Sequence, residues 1–189
     1  MARWQPDAAA RLLNAALELF EENGYDNTTV IAIAERAGVT KSTFFRHFPD
    51  KREVLFGGDA FARMVAEEIA AAPGTATPLE AVTAGIEKVG REAFTPQTRE
   101  FSRRRRAVIA ANPELQERDA LKGTRISAAI AEALRTRGVP DSTALVAAHL
   151  AGLALKLAYE RWSESDGEGF AELARAALRE LEAAGASLS

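Results

Sequence analysis

Between Arg36 and Arg52 the chain gathers side chains suited to touching nucleic acid. Thr40, Lys41, Ser42, Thr43, Phe45, Arg46 and His47 fall within eight consecutive positions. They offer hydrogen-bond donors, short hydroxyls and one aromatic ring, groups that can bond phosphates and base edges in a DNA major groove. Five basic residues in this stretch (Arg36, Lys41, Arg46, Lys51, Arg52) face one acid, Asp50, a local charge of +4. The whole chain carries −3, so everything outside the stretch carries −7. The total, with an isoelectric point near 5.6, argues against a nucleic-acid partner. The local excess argues for one, because phosphate contacts made at one face set the affinity.

Such side chains need a scaffold that presents them together. The spacing predicts a short helix over Val30 to Arg36, burying Ile33 and Ala34 and opened by the hydroxyl caps Thr28 and Thr29. A break follows at Ala37-Gly38-Val39, where glycine permits a tight turn. A second short helix opens on Thr40, runs through Phe44 and Phe45 to His47 and stops before Pro49. Two short helices about a glycine turn form a helix-turn-helix. Small Ala34 and Ala37 let the pair approach, Val39 and Phe44 lock it, Phe48 joins the core and Phe45 points outward. A preceding helix over Asp7 to Asn23 buries Leu13, Ala16, Leu17 and Phe20 and stops at Gly24.

These residues also carry a resemblance. Leu12 to Phe20, Gly24-Tyr25, Thr28-Thr29-Val30, Ile33-Ala34, Ala37-Gly38-Val39 and Thr43-Phe44-Phe45-Arg46-His47-Phe48, followed by Lys51, are similar to the DNA-binding domain of the tetracycline-repressor (TetR) family. The likeness runs without a gap from about Asp7 to Leu55. It implies base contacts near Thr40, Lys41, Ser42 and Arg46, and phosphate contacts near Thr28, Thr29, Phe45, His47 and Lys51. Many members carry Tyr where this chain has Phe45, so that position offers apolar contact, for instance to a thymine methyl, in place of a hydroxyl.

The rest of the chain is punctuated as helices. Asp50 and Glu53 form a capping box for a helix running to Ala72, which links a DNA-binding domain at 1–50 to a larger domain at 51–189. After Pro73-Gly74-Thr75, the pairs Thr77-Pro78, Thr95-Pro96 and Asn112-Pro113 each place a cap before a proline at the first helical position. Gly138-Val139-Pro140 closes the helix begun at Pro113, Asp141 or Ser142 caps the next to about Glu164, and a last helix carries a stripe from Phe170 to Leu181. About nine helices and no strand make the expected fold all-α, an N-terminal three-helix head followed by a larger helical domain.

Composition narrows the function classes. With no Cys, thiolate catalysis, disulfides and Cys-ligated metals are excluded. The two histidines, His47 and His149, stand far apart, and no residues nominate a catalytic constellation, so no enzyme, metal or cofactor is expected. The longest uncharged stretch, Ser142 to Leu155, is 14 residues, short of the ~20 that span a bilayer, and no leader-like core follows Met1. The reading is a soluble, cytoplasmic protein.

The larger domain is read as a ligand-binding and dimerisation module. Ala147, Leu150, Ala151, Leu153, Ala154, Leu157 and Ala158 on one helix, with the Phe170–Leu181 stripe on the next, predict a two-fold, four-helix homodimer contact. The resemblance implies the same dimer, and a cavity enclosed by the helices starting at Pro78, Pro96 and Pro113. Candidate lining residues are Phe61, Met64, Val82, Ile86 and Val89, then Phe101, Val108 and Leu121, then Tyr159 and Trp162. His149 is either a pocket residue or a core or interface histidine. The run Arg103 to Arg106 covers every side of a helix, and Arg104 and Arg105 lie three and four residues past Phe101. Arg105 is therefore a candidate for an acidic small-molecule effector; a solvated face, a salt-bridge network with Glu100 and Glu114, or extra contact with the DNA backbone are the alternatives. Expected overall is a homodimeric regulator of double-stranded DNA, a repressor released from a palindromic operator by a small molecule. An activator or ligand-independent regulator of the same fold, or a helical carrier, are the alternatives.

Overall fold

Helix starts fall where proline and threonine place them. The computed structural model describes residues 8–165 and 167–187, and among these it contains nine α-helices and no strand. They are α1 (Ala8–Asn23), α2 (Val30–Arg36), α3 (Lys41–His47), α4 (Ala60–Ala71), α5 (Pro78–Ala93), α6 (Pro96–Ala110), α7 (Pro113–Thr136), α8 (Asp141–Glu164) and α9 (Phe170–Ala186). Asp7, expected to open the first helix, lies outside the described residues. Pro78, Pro96 and Pro113 each stand first in their helices, where a missing N–H costs no hydrogen bond. Thr77 closes a full capping box: its Oγ1 accepts from Glu80 N–H at 3.3 Å and its own N–H donates to Glu80 Oε2 at 2.8 Å. The Thr77 N–H first, and then the Thr77 hydroxyl beside it, hold the Glu80 carboxyl below the usual carboxylate range.

Two expectations change. The helix expected from 50 to 72 is broken into a single 3₁₀ turn, Arg52–Leu55, and the separate α4. Gly57 and Gly58 stand between them at φ +64° and +63°, a left-handed pair that no helix accommodates. The capping box there is half made. Asp50 Oδ1 accepts from the N–H groups of Arg52 (2.8 Å) and Glu53 (3.1 Å), whereas the Glu53 carboxylate goes to Arg118. At α8 neither Asp141 nor Ser142 is the cap: Pro140 holds that position without a side-chain bond, and the Asp141 carboxylate accepts from Arg135 Nε at 2.6 Å.

Contacts group the chain into two units. The first takes residues up to Gly58 together with Arg104–Asp119, and the expected boundary at residue 50 falls inside it. Its core is Leu12, Leu17, Ile33, Phe44, Val54 and Phe56, all but inaccessible to water. Four arginines stitch residues 104–119 to the rest of this unit. Arg118, 8% exposed, grips Glu53 with Nε and Nη2. Arg105 Nε donates to the Leu55 carbonyl at 2.6 Å, Arg104 pairs with Glu21, and Arg52 meets Glu114 at 3.5 Å. The Arg105 and Arg118 guanidiniums lie 5.0 and 5.3 Å from the centre of the Phe56 ring, within cation–π range.

The second unit takes Asp59–Arg103 and the residues from Ala120 onward. In it α5 packs on α4, α8 and α9, and α8 packs on α9. Val65, Ile69, Val82, Ile86, Ile130, Leu134, Trp162 and Phe170 fill the core. Among the described residues α8 is the one helix long and apolar enough, by length and composition, to cross a membrane, although its longest uncharged stretch is 14 residues. That apolarity has a use inside the protein, where Ala144, Ala147, Ala148, Ala151, Ala154 and Ala158 let neighbouring helices come close.

Candidate functional site

The turn between α2 and α3 is built from local hydrogen bonds. Thr29 caps α2, its Oγ1 accepting from Ala32 N–H at 3.1 Å. At the other end Gly38 turns left-handed at φ +66°, so that Val39 N–H reaches Ala34 O (2.9 Å) and Gly38 N–H reaches Glu35 O (3.0 Å). These two bonds satisfy carbonyls that the helix end leaves open. Thr40 then caps α3, accepting from Thr43 N–H at 3.1 Å. Arg11 on α1 ties down the turn by donating to Ala37 O at 3.0 Å. Phe44 is wholly buried between Phe45 (ring centres 5.5 Å) and Phe48 (5.6 Å), which fixes the rotation of α3.

That rotation leaves Thr40, Lys41, Ser42, Phe45, Arg46 and His47 exposed. Phe45 is 48% exposed, with Lys41 Nζ 5.9 Å from its ring centre. Thr43 is half-buried, its hydroxyl 3.0 Å from that of Thr40. Thr29 is exposed, but Thr28 is not: it is buried, and its hydroxyl lies 3.0 Å from the Leu19 carbonyl and 2.8 Å from that of Gly24. Lys51 also faces inward. Its ammonium donates to the carbonyls of Tyr25 (2.7 Å) and Thr28 (3.1 Å) and sits 3.9 Å from the Tyr25 ring centre. Both residues brace the loop before α2.

Partners refine the charge count. Arg36 is held bidentate by Glu22 at 2.8 and 3.0 Å, a bond that raises the guanidinium's affinity for its proton and lowers that of the carboxylate. Arg52 pairs with Asp50 at 3.0 Å. Burial pushes the Asp50 carboxyl up, but bonds from Arg52 and the Glu53 N–H outweigh it and leave it lowered. Among the described residues only Lys41 and Arg46, of the five cations in this stretch, have neither a carboxylate partner nor an inward bond. The +4 of the sequence condenses into two available cations, both on α3.

The residues expected to line a ligand cavity do not form one group. Phe61, Tyr159 and Trp162 join Phe94 and Phe170 in an aromatic cluster of the second unit, beside the core that holds Val82, Ile86 and Val89. Met64, Leu121 and His149 are exposed, and Phe101 is half-buried. Arg105 and buried Val108 belong to the first unit. Within the arginine run Arg103 pairs with Glu100 as one expectation had it, whereas Arg104 pairs with Glu21 and Glu114 with Arg52. Phe94 was missed because its apolar partners lie on other helices, and no local spacing marks it. The face assigned to dimer contact also divides: Ala147, Ala151, Ala154 and Ala158 are consumed within the chain. Leu145, Val146 (61% exposed), His149 and Leu153 form the outward strip of α8.

A capped reading helix, a two-bond glycine turn and a bracing first helix define a helix-turn-helix protein. Comparison with known sequences specifies the kind. Residues 12–57 match the profile of bacterial regulatory proteins of the tetR family, and residues 76–186 match the MftR C-terminal domain of the same family. The chain belongs to the tetR family of bacterial regulatory proteins. It is 39% identical over 80 residues to the HTH-type transcriptional regulator TcmR of Streptomyces glaucescens, covering 42% of this chain and 35% of TcmR. It is 33% identical over 89 residues to the HTH-type transcriptional repressor KstR of Mycolicibacterium smegmatis, covering 46% of this chain and 44% of KstR. The alignment thus spans less than half the length of either relative. A TetR-family regulator of known structure from Mesorhizobium loti aligns over 95% of this chain and 96% of its own, at 28% identity and a TM-score of 0.48.

Proposed function

We propose that the protein is a cytoplasmic, homodimeric transcription regulator, a repressor that leaves a palindromic operator when a small molecule binds its second unit. The observation that carries this reading is the α3 surface, where Lys41 and Arg46 are available beside Thr40, Ser42 and Phe45 on a helix locked in rotation by Phe44. Family membership and the regulators TcmR and KstR among its relatives support it. In this reading each subunit lays α3 in a major groove, and two half-sites stand one helical turn apart, roughly 34 to 36 Å. The outward strip of α8, with Leu145, Val146 and Leu153, supplies the apolar part of the two-fold contact with α9. Effector binding favours dimers whose heads are spaced wrongly for the operator, so losing register at one half-site releases both. The chain acts by binding and not by catalysis.

Electrophoretic mobility shift on genomic fragments at two salt concentrations tests this. Lys41→Ala and Arg46→Ala are each expected to weaken operator binding by about tenfold to a hundredfold, the worth of one base or phosphate contact. Where the removed cation neutralises a phosphate, the salt dependence also flattens. Unchanged affinity and unchanged salt slope in both variants would remove α3 from the interface.

A further inference from the structure

The aromatic cluster of the second unit leaves two buried donors without acceptors. Phe94, at the C-terminal end of α5, lies at its centre, with ring centres of Phe61 at 5.7 Å, Tyr159 at 5.6 Å, Trp162 at 5.3 Å and Phe170 stacked at 4.0 Å. Trp162 is wholly buried, and its Nε1–H has no partner among the described residues. Arg99, from α6, places its guanidinium 5.3 Å from the Trp162 ring centre. Its Nη2 donates to the Glu168 carbonyl at 2.8 Å, while its Nε–H is buried and unmet. A buried donor without an acceptor is a standing penalty, and natural interiors tolerate few. Two of them, one on an indole and one on the cation beside it, mark a place that an anionic oxygen would complete.

We propose that this cluster is the effector site, and that it takes a flat, apolar molecule bearing a carboxylate. The inference rests on the ligand-responsive reading above and names its ligand class. The carboxylate oxygens accept from Trp162 Nε1–H and Arg99 Nε–H, and the apolar body replaces ring-to-ring contacts around Phe94 with ring-to-ligand contacts of the same kind. The rings come from α4, α8, α9 and the end of α5, with Arg99 on α6, so a ligand there touches residues from five helices of the second unit.

Benzoate, phenylacetate and 2-naphthoate are the probes, with toluene and 2-methylnaphthalene as uncharged counterparts, on the full chain carrying Trp4→Phe so that Trp162 supplies the sole indole. In ¹H–¹⁵N spectra at least one carboxylate is expected to move the Trp162 indole resonance downfield, as a new hydrogen bond does. It should also bind about tenfold more tightly than its uncharged counterpart, the worth of one charge-assisted bond. Arg99→Gln should erase that preference without lowering the melting temperature by more than a degree or two. If no carboxylate moves the indole resonance at millimolar concentration, or if Arg99→Gln binds the carboxylate as the parent does, the site is wrong. Operator release is scored separately: a carboxylate that binds here yet leaves operator binding unchanged upholds the site and overturns the ligand-responsive reading.

Discussion

Replacing Lys51 by methionine separates two jobs that one ammonium group could do. Resemblance to relatives implies a phosphate contact, whereas the structure engages the group with the Tyr25 and Thr28 carbonyls and the Tyr25 ring. Tyr25 O keeps a second donor, Thr28 N–H at 3.2 Å, so the main loss falls on Thr28 O. A hydrogen bond to a charged group contributes about 1.5–3 kcal/mol net. Lys51 is half-buried, and water can take over part of its role, so about 2 kcal/mol is the expected loss. For a chain of this size that lowers the melting temperature by about 4–8 °C. Operator affinity measured well below the melting temperature should fall only a few-fold, as Thr29 and the start of α2 lose their brace. The slope of log affinity against log salt should stay the same, because the number of neutralised phosphates is unchanged. A phosphate-bound lysine would instead change that slope by about 0.9. A slope changed by that amount, together with an unchanged melting temperature, would refute the bracing role.

Two further outcomes follow from the geometry. Burial raises the Tyr25 phenol well above its ordinary 10.0, with the Glu114 charge adding to the effect. The folded state therefore keeps its proton while the unfolded chain gives it up, so stability should hold below about pH 10 and fall above it. Tyr25→Phe should flatten that alkaline limb in a series of thermal melts, and an identical limb in the variant would assign it to other groups. Val146→Glu sets a charge in the outward strip of α8 and should shift sedimentation from dimer toward monomer, with at least a tenfold weaker association. An unaltered dimer would place the two-fold contact elsewhere.

Local chemistry was legible in the sequence, and long-range pairing was not. Thr77-Pro78-Leu79-Glu80 specifies its own helix start because every partner lies within three residues, and around the turn the bonds of Thr29, Gly38 and Thr40 stay within five. The failure at Gly57-Gly58 was also local: apolar periodicity continues through the pair, from Val54 and Leu55 to Phe61 and Val65, and masks two left-handed residues. Lys41 and Arg46 were read as outward, and they are. Arg36, Arg52 and Lys51 counted equally in the charge sum because a sum carries no information about Glu22, Asp50 or the Tyr25 carbonyl as partners. The arginine run posed the hardest case, since Glu21 lies 83 positions from Arg104. Only the fold reveals which face of α6 each arginine occupies.

The arginine stitching between residues 104–119 and the N-terminal helices bears on how regulators of this kind can be recombined. A chimera that joins residues 1–58 to a different C-terminal domain leaves Glu21, Glu53 and the Leu55 carbonyl without Arg104, Arg118 and Arg105. Phe56 loses both cations beside its ring at the same junction. The transplantable module is therefore discontinuous in sequence: a graft of DNA specificity has to carry the end of α6 and the start of α7 along with the head, or rewrite the acids at 21 and 53 to suit the new host.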